Sequence, residues 1–169
     1  MPSLDETFLR QAINLATIAR QRGEFAFGAV LAVNQQLVHQ SADQCLSYAD
    51  PTAHAELLLI SEYCRAQRTL DLDGYTLYSC VEPCVMCAGA IKWARISRVV
   101  FSVSQAMLQQ MNGGCPKPSC ADIVNTGGRS ISVDGPLLPD EGLAAWAGFD
   151  FTPKRERPHK RNQFEQSSL

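Results

Sequence analysis

The sequence predicts a layered α/β domain whose central mixed sheet is covered by helices on both faces. Segments rich in apolar and β-branched residues alternate along the chain with segments whose apolar residues recur at helical spacing. A short turn joins the first two strands, which makes the sheet mixed rather than purely parallel. With 169 residues, 46% of them hydrophobic, the chain is long enough for one domain with a sizeable core.

Capping and turn signals define the elements as much as periodicity does. Ser3 and Glu6 have capping-box spacing, and a helical pattern continues from them to about Gly23. Asp50 can cap a second helix, because Pro51 suits the first helical position. The predicted order is a helix over 4–22, strands over 27–33 and 37–40, a helix over 50–66, a strand over 75–80, a helix over 84–94, strands over 98–103 and 131–134, and a helix over 140–149. Residues 104–129 show no clear pattern beyond a short helix near 107–111.

The chain divides into a domain over residues 1–152 and a polar, charged tail over 153–169, which we expect to be loosely held. A net charge of -2 and a pI of about 5.9 do not favour a surface built to bind a polyanion. No apolar run reaches the ~20 residues that a membrane span needs. Seven cysteines without an export signal indicate a reduced protein, and we expect a cytoplasmic location.

Four residues at two predicted helix starts have the chemistry of a catalytic metal site. His54 and Glu56 lie near the start of one helix, and Cys84 and Cys87 lie at the start of the next. Two thiolates and one imidazole leave one position of a tetrahedral zinc ion open for a water, whose pKa the metal lowers to about 7. We predict one zinc ion per chain with these three ligands. Glu56 is the candidate to carry protons between that water, a ring nitrogen and leaving ammonia.

Simpler interpretations exist for each half of this pattern. A Cys-x-x-Cys pair can be a redox pair or part of the core, and a lone histidine can cap a helix. A zinc ion that only stabilises a fold requires four protein ligands and no adjacent base. The combination of three ligands with a carboxylate favours an enzyme over a non-catalytic zinc module. It also matches the zinc-deaminase signature.

Three segments, 27–30, 50–56 and 82–91, resemble the cytidine deaminase-like superfamily. Within it they are similar to the branch of guanine deaminases and bacterial tRNA adenosine deaminases. The resemblance is good over about residues 5–103 and weak after 104. It implies a three-layer α/β/α sandwich and a homodimer. Trp146, Phe149 and Phe151 add a physical reason to expect a dimer, because aromatic residues often anchor interfaces.

The resemblance also implies where substrate binds, at Phe27, Asp43 and Ala55. Both subfamilies usually have an asparagine eleven positions before the zinc histidine, where this chain has Asp43. An ionised aspartate only accepts hydrogen bonds, so it suits a ring that presents N–H groups. Alternatively, Asp43 only ends the hairpin as a turn residue.

The sequence favours a small nucleobase-type substrate, such as guanine, another free purine base or nucleoside, or a related aminated heterocycle. Hydrolytic deamination of that ring would release ammonia. The alternative is a tRNA adenosine deaminase, which the acidic pI disfavours because RNA binding depends on neutralising phosphates.

Overall fold

A computed structural model describes residues 1–113 and 117–149. Within these residues, helices and strands alternate as the sequence predicts. The helices are α1 (Leu4–Gln21), α2 (Cys45–Tyr48), α3 (Ala55–Gln67), α4 (Val85–Trp93), α5 (Gln105–Asn112), α6 (Cys120–Val124) and α7 (Pro139–Ala144). The strands are β1 (Gly28–Val33), β2 (Gln36–Ala42), β3 (Thr76–Val81), β4 (Arg98–Val103) and β5 (Ser132–Asp134).

The five strands form one mixed sheet in the order β2-β1-β3-β4-β5. Strand β1 is antiparallel to both β2 and β3, whereas the β3–β4 and β4–β5 pairs are parallel. The β1–β2 hairpin turns at Asn34 and Gln35, whose φ angles of 50° and 62° are both positive. This is the backbone of a type I′ turn, which matches the twist of the two strands. The predicted hairpin and mixed sheet are therefore confirmed.

Helices pack on both faces of the sheet. Phe8 and Leu9 of α1 and Trp146, just after α7, belong to one core cluster, together with a residue of α5. Leu59 of α3 and Ile91 of α4 belong to a second cluster on the other face, together with residues of α6. Successive side chains along the strands alternate between these two clusters, as the period of a strand requires. The three-layer α/β/α sandwich is confirmed.

The helix predicted from residue 50 begins later, and the reason is local. Asp50 Oδ1 accepts hydrogen bonds from the main-chain N–H and the hydroxyl of Thr52, at 2.8 and 2.7 Å. This closes a turn, which Asp side chains form in competition with helix capping. Helix α3 starts at Ala55, and His54 occupies its N-cap position with an extended backbone. The predicted start was therefore wrong by five residues.

Helix α2 has no counterpart in the prediction, because its stabilising partners come from elsewhere. The main-chain N–H of Cys45 donates to Asp43 Oδ1 at 3.1 Å. The next two N–H groups, of Leu46 and Ser47, donate to the buried carboxylate of Glu24 at 2.8 and 2.9 Å. Two carboxylates thus satisfy the first three donors of a four-residue helix, which no local pattern indicates.

The C-terminal segment is shorter than expected and packs inward. The predicted helix over 140–149 ends at Ala144. Trp146 is only 3% exposed, and its ring meets those of Phe27 and Phe149 edge-on at 4.9 Å each. Trp146 and Phe149 therefore pack against other rings of the same domain. The expectation that they anchor a dimer interface is wrong for these two residues. Phe151 and the tail over 153–169 lie outside the described residues.

In the described part of the chain, the structure contains no helix with the length and apolar character needed to cross a membrane.

Candidate active site

His54, Cys84 and Cys87 converge at one edge of the sheet, where α3 and α4 begin. His54 is the N-cap of α3, and Cys84 is the N-cap of α4. The two sulfurs lie 3.7 Å apart, and His54 Nδ1 lies 3.7 Å from Cys84 Sγ and 3.6 Å from Cys87 Sγ. Each donor atom therefore lies at nearly the same distance from the other two.

This triangle has the dimensions of a zinc site. Zn–S bonds of ~2.3 Å and Zn–N bonds of ~2.0–2.1 Å at tetrahedral angles place two sulfurs about 3.8 Å apart and a sulfur and a nitrogen about 3.6 Å apart. The observed spacings agree with both values. Soft thiolates and an imidazole are also the donors that zinc prefers. The three residues thus fit a zinc ion in both geometry and chemistry.

The pKa values of the two thiols shift in opposite directions, and the shift at Cys84 suits metal binding. Contact with Cys87, together with the hydrogen bond to His54, lowers the pKa of Cys84 to about 4, although partial burial opposes the shift. The same contact with Cys84, followed by burial, raises the pKa of Cys87. The pKa of His54 is raised, chiefly by its hydrogen bond to Cys84. Cys84 is therefore a thiolate at neutral pH, which is the form that a metal ion binds.

Glu56 lies beside these donors and is buried, with only 4% of its surface exposed. Its Oε2 is 3.6 Å from Cys87 Sγ, and its Oε1 accepts a hydrogen bond from the Ser79 hydroxyl at 3.1 Å. On a regular helix, side chains two positions apart point about 200° away from each other, which would separate His54 from Glu56. The extended backbone of the N-cap removes that separation. Burial raises the pKa of the Glu56 carboxyl, as suits a group that must gain and lose a proton.

Asp43 and Phe27 lie next to His54. Asp43 is 1% exposed, and a carboxylate oxygen, Cys45 Sγ and a ring nitrogen of His54 lie within 4.8 Å of one another. Burial raises the pKa of the Asp43 carboxyl. The rings of Phe27 and His54 are nearly parallel, at 10°, with centroids 6.0 Å apart. Asp43 also accepts the hydrogen bond from the main-chain N–H of Cys45 described above. It therefore acts as a turn residue and also lies close to His54.

Ala55 is placed differently. Its side chain is fully buried in the core cluster that holds α3 and α4 against the sheet. Any contact of Ala55 with a substrate would therefore use its main chain.

The sequence did not indicate Ser79, although it orients Glu56. It lies in the buried part of β3, between Tyr78 and Cys80, and nothing in the sequence shows that its hydroxyl faces a carboxylate 23 positions away. A serine inside a predicted buried strand was the available signal, since buried hydroxyl groups need partners.

Comparison with known proteins identifies the family of this chain. Residues 2–103 match the family model of the cytidine and deoxycytidylate deaminase zinc-binding region. A probable cytosine deaminase of Schizosaccharomyces pombe is 35% identical over 150 residues, which cover 86% of this chain and 91% of that protein. A tRNA-specific adenosine deaminase of Bacillus subtilis is 39% identical over 111 residues, or 66% of each chain. The solved structure of a guanine deaminase from Bacillus subtilis superposes with a TM-score of 0.60 at 29% identity, covering 88% of this chain and 97% of that one.

The fold and the donor cluster define a zinc-dependent deaminase. The chain belongs to the cytidine and deoxycytidylate deaminase family, as the family match over more than half of its length shows. It is therefore a zinc enzyme that hydrolyses C–N bonds. The resemblance seen in the sequence is confirmed, while the relatives differ in the substrates that they are named for.

Proposed function

We propose that this chain deaminates a free nucleobase, with His54, Cys84 and Cys87 holding one zinc ion and Glu56 carrying protons. The observation that carries the proposal is the position of Glu56. Its buried carboxyl lies 3.6 Å from the sulfur of Cys87, beside a group of three donors that, among the described residues, would leave a fourth position of a tetrahedral zinc ion for water. A purely structural zinc site requires no such carboxyl.

Zinc bound by these donors would supply Lewis acidity that lowers the pKa of a bound water to about 7. Glu56 accepts a proton from the attacking water and delivers it to the ring nitrogen beside the reacting carbon. The water oxygen bonds to that carbon. Glu56 then takes the remaining proton of this oxygen and passes it to the amino group, so the C–N bond breaks, ammonia leaves and a ring carbonyl remains. Ser79 keeps the carboxyl in place by donating to its Oε1.

The share of each relative's length that aligns with this chain favours a free base over RNA as the substrate. The cytosine deaminase relative aligns over 91% of its own length, whereas the tRNA deaminase relative aligns over 66% of its length. The net charge of -2 points the same way, because RNA binding depends on cationic contacts to phosphates. Guanine and cytosine are the two bases that the relatives suggest.

Asp43 supplies the chemical argument for a free base. A carboxylate oxygen near His54 can accept a hydrogen bond from a ring N–H but cannot satisfy a bare ring nitrogen. Cytosine and guanine carry an N–H at the position where a nucleoside carries its sugar. Phe27, with its ring parallel to that of His54, would contact the flat face of such a ring.

Adenosine in tRNA is the second candidate. A 39% identity to a tRNA-specific adenosine deaminase is higher than that to the cytosine deaminase, although it covers less of both chains. Several lysine and arginine residues occur between 153 and 169, which lie outside the described residues.

An ammonia-release screen on the purified zinc enzyme tests these proposals. The substrates should be cytosine, guanine, guanosine, adenine, pterins and triazines, with an anticodon-loop RNA in parallel. We expect turnover of a free base and none of the RNA. Turnover of the RNA alone would overturn the free-base proposal in favour of the second candidate.

A further inference from the structure

A buried carboxylate just ahead of the metal-binding turn is not used in the proposed chemistry. Glu82 lies between the end of β3 and the Pro83-Cys84 turn that begins α4. Its Oε2 accepts a hydrogen bond from the main-chain N–H of Gln105 at 2.9 Å, and its Oε1 accepts one from that of Cys120 at 2.8 Å. The two oxygens thus accept hydrogen bonds from the first main-chain N–H groups of α5 and α6, two helices that start 15 residues apart in the sequence.

The main chain of Glu82 is anchored as well. Its N–H donates to the carbonyl of Val103 at the end of β4, at 2.7 Å. Its carbonyl accepts a hydrogen bond from the side-chain amide of Gln105 at 2.6 Å. Pro83 follows and has no N–H to donate. Glu82 is therefore the residue through which the Cys84 turn is tied to β4, α5 and α6.

We propose that Glu82 is a positioning residue for the metal centre, which holds Cys84 at the spacing from His54 that zinc requires. The proposal rests on the ligand set proposed above. A residue that only supported α5 and α6 would affect the stability of the protein without affecting its metal. A residue that sets the place of Cys84 must affect zinc binding itself. Outer residues that orient metal ligands typically change metal affinity by about 10–100-fold when replaced.

Two substitutions separate geometry from charge. Glu82→Gln keeps the shape of the side chain but turns an NH₂ group towards one of the two main-chain donors. Glu82→Asp keeps the negative charge but is one methylene shorter, so it cannot hold both N–H groups at their present distances. Gln105→Ala is a milder third variant, since it removes only the bond to the Glu82 carbonyl.

Matched controls come from the same two helices. The Ser104 hydroxyl accepts from Met107 N–H at the start of α5, and the Ser119 hydroxyl accepts from Asp122 N–H at the start of α6, each at 3.1 Å. Ser104→Ala and Ser119→Ala therefore loosen these helix starts without changing any bond of Glu82.

The experiment measures zinc dissociation constants by chelator competition on the full chain, together with the absorption spectrum of the cobalt-substituted protein and the melting temperature. We expect Glu82→Gln and Glu82→Asp each to weaken zinc binding about tenfold or more and to shift the cobalt bands. Gln105→Ala should weaken zinc binding less. The two serine variants should melt at lower temperature with wild-type zinc affinity.

Three results would overturn the inference: wild-type zinc affinity in both Glu82 variants, equal losses in the serine controls, or wild-type affinity in Glu82→Asp alone, which would show that the reach of the side chain does not set the place of Cys84. If the Glu82 variants do not fold, unchanged affinity in Gln105→Ala counts against it. Failure of the ligand set itself would look different, because Cys84→Ala would then retain tightly bound zinc.

Discussion

Glu56→Gln exchanges one oxygen of a buried side chain for an NH₂ group and leaves its size unchanged. The Ser79 hydroxyl can still donate to the remaining Oε1, as it now does at 3.1 Å. None of the three proposed ligands is altered. The variant should therefore fold, bind one zinc ion and melt no lower than the wild type, because it no longer buries an ionisable carboxyl.

The loss in turnover should be large. A glutamine cannot accept the proton of the attacking water or return it to the ring, and loss of general acid–base catalysis costs about 10²–10⁴-fold. This equals about 3–5 kcal/mol of barrier height. The measurement is kcat for ammonia release on the best substrate of the screen, with zinc content determined on the same sample.

Ser79→Ala is the matched control, because it removes the hydrogen bond but keeps the carboxyl. A net hydrogen bond contributes about 1 kcal/mol, so we expect a loss of about fivefold. Should Glu56→Gln keep more than about a tenth of the wild-type kcat, which is far outside the range for proton transfer, Glu56 would not be the proton carrier.

Four further predictions concern metal binding, substrate choice, stability and assembly. Metal analysis should find no zinc in Cys84→Ala but a full complement in Cys64→Ala, since Cys64 lies away from the donor triangle. Asp43→Asn should keep its zinc and change the ratio of kcat/KM between a base with a ring N–H and one with a bare nitrogen by about tenfold; equal scaling of both substrates would leave Asp43 as a turn residue. Hydrogen bonds from Arg98 hold the pKa of Asp5 below its usual value. The contribution of Asp5 to stability is therefore present at neutral pH and is lost as the pH falls below about 4. In urea unfolding, Asp5→Asn should lower the free energy of unfolding at pH 7 and lower it much less at pH 3. Sedimentation velocity at micromolar concentration should show a homodimer, as the family resemblance implies, and a monomer would contradict it.

The donor cluster could be predicted from the sequence because each of its halves is local. A His-x-Glu segment and a Pro-Cys-x-x-Cys segment each occupy the start of a helix. The second follows β3 directly, whereas α2 lies between β2 and the first. The helix α1 could be predicted for the same reason, since its capping box between Ser3 and Glu6 involves only neighbours. Element type followed from periodicity in most of the domain.

The parts that could not be predicted depend on contacts between distant residues. Helix α2 forms where Glu24 reaches across from the end of α1. The starts of α5 and α6 are joined by Glu82, which in the sequence is only a glutamate before a proline. In each case a charged residue that would ordinarily be expected on the surface is buried and fully hydrogen bonded. Such a role depends on three-dimensional proximity, which composition and spacing do not record.

The two tryptophans make the protein suited to fluorescence measurements. Trp93 is 87% exposed, whereas Trp146 is buried and lies one aromatic ring away from the metal donors, through Phe27 and His54. A soluble quencher should therefore reach the first indole and spare the second. In a Trp93→Phe protein, the remaining tryptophan emission would come from Trp146, which packs against Phe27 beside the site. Binding of a metal ion or of a nucleobase could then be followed without any added label.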